Sequence, residues 1–169
     1  LAVTGCQTGE AADDGIDLPD PVVDTEVTSD IDYVALGDSF SAGPSIASMR
    51  TDPQGCARSR SNYPAFLADW LDVASYTDVS CSAAVTADLY APMRMFDGNT
   101  TGPQLEAVSA DTDLVTIGIG GNDFLRRVAP DATRAAIRRS IEAARGAGAQ
   151  VLLVAIPLLS AGAALGLGL

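Results

Sequence analysis

Three short stretches carry residues that could do chemistry. In Tyr33-Val34-Ala35-Leu36-Gly37-Asp38-Ser39-Phe40-Ser41-Ala42-Gly43 a serine stands where an apolar run stops. A hydroxyl at such a strand-to-helix turn is exposed and lies beside outward-pointing backbone N–H groups. That suits a nucleophile, and it equally suits an ordinary helix N-cap. Val79-Ser80-Cys81-Ser82-Ala83-Ala84 and Gly118-Ile119-Gly120-Gly121-Asn122-Asp123 follow a second and a third predicted strand. A hydroxyl, a tight small-residue turn and a carboxamide at one sheet edge suit acyl transfer. Ser39 Oγ would attack an ester carbonyl. The N–H groups of Ser39 and Ala83 and the amide of Asn122 would face the oxyanion, each such donor being worth roughly 10²–10³ in rate.

The elements that must position these residues follow from patterning. Ile31–Leu36, Ser75–Cys81, Leu114–Ile117 and Val151–Ile156 read as strands. Asn62 is placed to cap a helix whose Phe66, Leu67, Trp70 and Leu71 form one apolar face, expected in the core rather than against substrate. Pro130-Asp131 starts the clearest helix, with Ile137, Ile141 and Ala144 on one side and Arg134, Arg138 and Arg145 on a solvated face. Gly146 or Gly148 ends it. Residues 45–61 read as irregular and Thr86–Ala107 as mixed, with Pro92, Gly98 and Gly102-Pro103 as breakers. Strands alternating with helices imply a mainly parallel, three-layer sheet whose ligand sites form at the carboxyl ends of the strands.

Composition narrows the classes. With 169 residues, 47% of them hydrophobic, a single packed domain is expected. The formal net charge is −12 and every basic residue is Arg, which argues against nucleic acid and anionic membrane surfaces as partners. No cofactor motif occurs. Without His a mixed His/Cys metal site is impossible, so neither cofactor nor metal is expected. The three cysteines divide most simply into a pair, Cys56 and Cys81, and a separate Cys6. Two buried thiols are the alternative to that disulfide.

The three blocks in this order resemble the SGNH (GDSL-type) esterase and lipase family, over about Ile31 to Pro157. That family's first block is Gly-Asp-Ser with the nucleophile, its second supplies a glycine N–H, and its third is Gly-x-Asn-Asp. The resemblance implies a flavodoxin-like three-layer α/β fold, Ser39 as nucleophile, and Ala83 and Asn122 in the oxyanion hole. It casts Asp38 and Asp123 as scaffold, in keeping with turn-capping carboxylates. Ile31–Asn122 is similar to secreted, disulfide-bonded esterases of the family, whereas Asp123–Pro157 is similar to its lysophospholipase and arylesterase branch. Gly-x-Ser-x-Gly is not matched, because Ser41 occupies the last position, so an α/β-hydrolase elbow is not supported.

Two departures from the family stand out. Position 83 is alanine where glycine is usual, which costs roughly 1 kcal/mol if the backbone there needs positive φ. The late Asp-x-x-His is absent, and no His or Lys exists to accept the serine proton. The expectation is a domain that lacks its last strand and helix, is C-terminally incomplete over residues 31–169, and is inactive as it stands.

The ends of the chain carry their own signals. Val3-Thr4-Gly5-Cys6 looks like a bacterial lipobox, with Cys6 as the lipidated residue. Gln7–Asp30 contains eight acidic residues, no basic ones and no periodicity, the composition of a solvated tether, so residues 1–30 read as anchor and linker. Val151–Leu169 has no charged residue, but Pro157 and the glycines make a continuous spanning helix unexpected. The expected setting is extracytoplasmic, and the expected state is a monomer that meets the membrane only through Cys6. The expected substrate is a small-molecule, lipid or glycan ester. A non-catalytic ester- or acetyl-glycan-binding lipoprotein module is the alternative.

Overall fold

The computed structural model describes residues 30–155. The lipobox at Cys6, the tether as far as residue 29, Ile156 of the fourth expected strand and the tail beyond it lie outside the described residues.

Four parallel strands form the main sheet: β1 (Asp32–Gly37), β2 (Ser75–Asp78), β5 (Leu114–Gly118) and β6 (Gln150–Leu153). Their order is β2-β1-β5-β6, so β1 and β5 are inner strands. Both faces of an inner parallel strand are covered, which is why β1 reads as an apolar run rather than an alternation. Tyr33 and Ala35 pack with Ala68 and Leu67 of α2 (Tyr63–Leu71) on one side. Val34 and Leu36, with Val115 and Ile117 beside them, pack on the other against Ile137, Ile141 and Ala144 of α4 (Pro130–Gly146). Each fully buried Leu or Ile of this kind contributes about 1.5–3 kcal/mol. The result is the three-layer α/β fold expected from the strand–helix alternation.

Local signals set most boundaries. Asn62 accepts the Ala65 N–H at 3.0 Å and caps α2, as its position suggested. Pro130 opens α4, Gly146 is its last residue, and Gly148 follows at φ 107°. The ladder of β2 stops at Asp78 rather than running on to Cys81. There the carboxylate accepts the Ser80 N–H and hydroxyl and the Asn62 amide, turning the chain away. Between β2 and β5 the chain forms short 3-10 turns and a two-strand antiparallel pair, β3 (Met93–Arg94) with β4 (Thr100–Thr101).

The face assigned to α2 is corrected. The helix turns Pro64 and Ala68 inward, with Leu67 and Leu71 partly covered, while Phe66 and Trp70 are 63% and 81% exposed. Phe66 and Trp70 do share a stripe at i, i+4 spacing. The small Ala68 lets the neighbouring stripe approach Tyr33 and Ala35 closely, so that stripe faces the sheet.

Cys56 and Cys81 form a disulfide, both residues buried in the apolar cluster on the α4 side. It ties the loop before α2 to the turn after β2. Across a separation of 25 residues, closing that loop contributes about 3 kcal/mol.

Candidate active site

The sheet brings the three blocks to the ends of adjacent strands. β1 delivers Ser39, β2 leads into Ala83 and β5 leads into Asn122 on the short α3 (Gly121–Leu125). Gly37 pairs with Gly118 in register, and the next N–H, from Asp38, donates to the Gly118 carbonyl at 3.0 Å. Ser39 is the first residue of α1 (Ser39–Ala42), and the cap is Asp38, whose carboxylate accepts the Phe40 N–H at 3.0 Å. Ser39 is therefore not the capping side chain. It is half-buried, and neither its hydroxyl nor its N–H meets a hydrogen-bond partner among the described residues.

The second turn is strained in the way its alanine threatened. Ala83 has φ 71°, a region in which a Cβ costs roughly 1 kcal/mol or more. Three side chains following β5 hold it. Arg126 Nη2 donates to the Ala83 carbonyl at 2.9 Å, and Asn122 Nδ2 donates to the Ala84 carbonyl at 2.9 Å. Buried Asp123 accepts both the N–H (2.9 Å) and the hydroxyl (2.5 Å) of Thr86. With its carbonyls fixed, the turn keeps its direction despite the strain. The Ala83 N–H has no acceptor among the described residues. Asn122 spends one amide hydrogen on Ala84 and retains a second.

Asp38 is the electrostatically notable residue beside Ser39. Burial pushes its carboxyl above the usual carboxylate range and the nearby negative charge of Asp123 adds to this, while the N–H groups of Phe40 and, less closely, Gly121 oppose it. A folded-state value raised above the unfolded one favours folding only while the group is protonated in the native state. That contribution is complete below the unfolded aspartate value near ~4 and is lost as pH rises through the folded value. Asp38→Asn keeps an acceptor for Phe40 and removes the titration. Its stability relative to the parent is expected to improve between pH 4 and pH 7 in urea denaturation. A relative loss over the same interval would mean that the N–H donors outweigh burial. Comparing the two pH values cancels any pH-independent cost of the new amide.

Two residues near these turns had no signal in the patterning. Arg126 reads as one more surface arginine, and Gln104 lies in a segment without periodicity, yet both bond to main chain across large sequence separations. No histidine exists anywhere in the 169 residues, so the described arrangement has a candidate nucleophile and donors but no imidazole base.

Residues 35–166 match the family model of the GDSL-like lipase/acylhydrolase family. The chain belongs to this family. Family membership makes it a relative of ester hydrolases and lipases. It is 47% identical to Lipase 2 of Streptomyces coelicolor over 100 residues, 58% of this chain and 32% of that protein. With a lipase of Streptomyces rimosus it shares 40% identity over 92 residues, 54% of this chain and 30% of that protein. The chain thus spans about a third of the curated relatives it matches. Among solved structures, phospholipase A1 from Streptomyces albidoflavus superposes with a TM-score of 0.59 at 26% identity, covering 76% of this chain and 60% of that one. The extracellular lipase of Streptomyces rimosus superposes at 0.52 with 30% identity, covering 73% and 58%.

Proposed function

We propose that this GDSL-family chain carries the nucleophile and oxyanion half of a carboxylic-ester hydrolase. Ser39 Oγ attacks the acyl carbonyl, and the N–H groups of Ser39 and Ala83, with the free amide hydrogen of Asn122, receive the oxyanion. The observation that carries the reading is the pair of unpartnered N–H groups, of Ser39 and of Ala83, on turns that leave adjacent strands. Donors left open at a strand edge, with their carbonyls tied back, are what a developing negative charge requires. The proton of Ser39 needs a base that these 169 residues do not supply as His or Lys. The deciding experiment provides one, by appending a family C-terminal segment that contains Asp-x-x-His. Ser39-dependent hydrolysis of a short-chain aryl ester is expected. Ester binding without turnover in that form would favour a non-catalytic binding module instead.

The setting belongs to the same proposal. An extracytoplasmic, monomeric protein fits the buried disulfide and the lipases the chain is similar to, one of them an extracellular lipase. No helix among the described residues is long and apolar enough to cross a membrane. Cys6 is the lipid attachment point, residues 1–30 form the tether and residues 31–169 the hydrolase domain. Expressed with a bacterial lipoprotein leader, the chain should partition into membranes, and Cys6→Ala should release it. Unchanged partitioning of the variant would end the anchor reading.

A further inference from the structure

β1 lies between β2 and β5, and the N–H and carbonyl of Gly37, which point to one side as in any strand, face the β2 edge. On the β5 edge the Gly118 carbonyl takes the next N–H, that of Asp38. On the other edge the β2 ladder stops at Asp78, opposite Ala35, two residues short of Gly37. Gln104 occupies the vacated place. Its Oε1 accepts the Gly37 N–H at 2.7 Å and its Nε2 donates to the Gly37 carbonyl at 2.9 Å. A side-chain carboxamide thereby presents the paired donor and acceptor that a strand residue would present, and only one orientation of it satisfies both bonds. The residue is 3% exposed. The same carbonyl also accepts the Cys81 N–H at 3.0 Å. The end of β1, the Gln104 turn and the approach to Ala83 therefore meet at one peptide group, two residues before Ser39.

We propose that Gln104 is the positioning residue of the Ser39 turn, setting the hydroxyl and its N–H against the Ala83 donor. The inference rests on Ser39 being the nucleophile. No other side chain of similar size does the same work. Glu offers only acceptors to a site that needs a donor at the Gly37 carbonyl, and Leu fills the volume with neither. Loosening a buried turn by ~1 Å is enough to cost about 10²-fold in rate.

The test has two arms. In the chain as it stands, amide hydrogen exchange is followed at the hydrogen-bonded amides of Gly37, Asp38 and Phe40, with Val115 and Ile117 as references. Gln104→Leu and Gln104→Glu are each expected to accelerate exchange at the first three by about tenfold or more and to leave the references within about twofold. The Glu variant should approach the parent again at acid pH, measured as a ratio at each pH, because a protonated carboxyl both donates and accepts. In the form carrying Asp-x-x-His, Gln104→Glu at neutral pH should lower kcat about 10²-fold with KM within about threefold. Uniform acceleration across the references, or unchanged exchange at Gly37, overturns the proposal, as does an unchanged kcat in an active parent. An inactive parent instead removes the nucleophile reading, and the exchange arm still decides whether Gln104 holds the turn.

Discussion

Hydrolysis of a short-chain aryl ester by the 169-residue chain is expected to equal that of its Ser39→Ala variant, and to rise about 10²–10⁴-fold once a segment bearing Asp-x-x-His is appended. The low baseline follows from the proton. A serine hydroxyl is almost wholly un-ionised near neutral pH, and attack is efficient only as a base removes its hydrogen. His and Lys are absent from the sequence. The carboxyl of the adjacent Asp38 is buried, and its Oδ1 is taken by the Phe40 N–H. What remains is binding and oxyanion stabilisation, which in a triad enzyme stripped of one member leave a residual ~10³–10⁴ over water. The gain in the extended form must vanish with Ser39→Ala. If the unextended chain already hydrolyses the ester in a Ser39-dependent way, some other group serves as the base and this account of the missing step is wrong.

Gly37→Ala should cost about 3 kcal/mol or more in urea denaturation, enough to leave much of the chain unfolded if its stability is ordinary. An added Cβ would lie 2.5 Å from the Gly118 carbonyl oxygen and closer still to Ser41 Oγ. The hydroxyl could rotate away. The carbonyl cannot, because the Asp38 N–H holds it at 3.0 Å in the continuation of the β1–β5 ladder. Gly146→Ala is the control. A Cβ there meets nothing within 4 Å, at the end of α4, and a gain of ~0.4–1 kcal/mol is expected. A loss at Gly37 no larger than about 1 kcal/mol would mean that the turn can open, and would undercut a rigidly placed Ser39.

Local chemistry was legible along the chain. Apolar runs marked inner strands and the spacing of apolar residues marked the two long helices, and Asn62, Pro130 and the Gly146–Gly148 pair marked helix ends, because each acts within one turn of itself. The strand-then-turn pattern at Ser39, Ala83 and Asn122 put all three at one sheet edge, since a parallel sheet sends every strand's carboxyl end the same way. Absence of histidine is likewise a property of composition alone.

What the tertiary structure decided are the contacts between residues far apart in sequence. Spacing cannot say which stripe of α2 meets the sheet. That depends on Ala68 finding Tyr33 and Ala35, and it left Phe66 and Trp70 outside. The cap at the Ser39 turn went to Asp38, and Ala83 took φ 71°. Arg126 and Gln104 bond to main chain 43 and 67 residues away, and no local period encodes such pairings. Backbone groups at the end of an inner strand must be satisfied once water is excluded, and only the assembled sheet determines which side chain is near enough to do so.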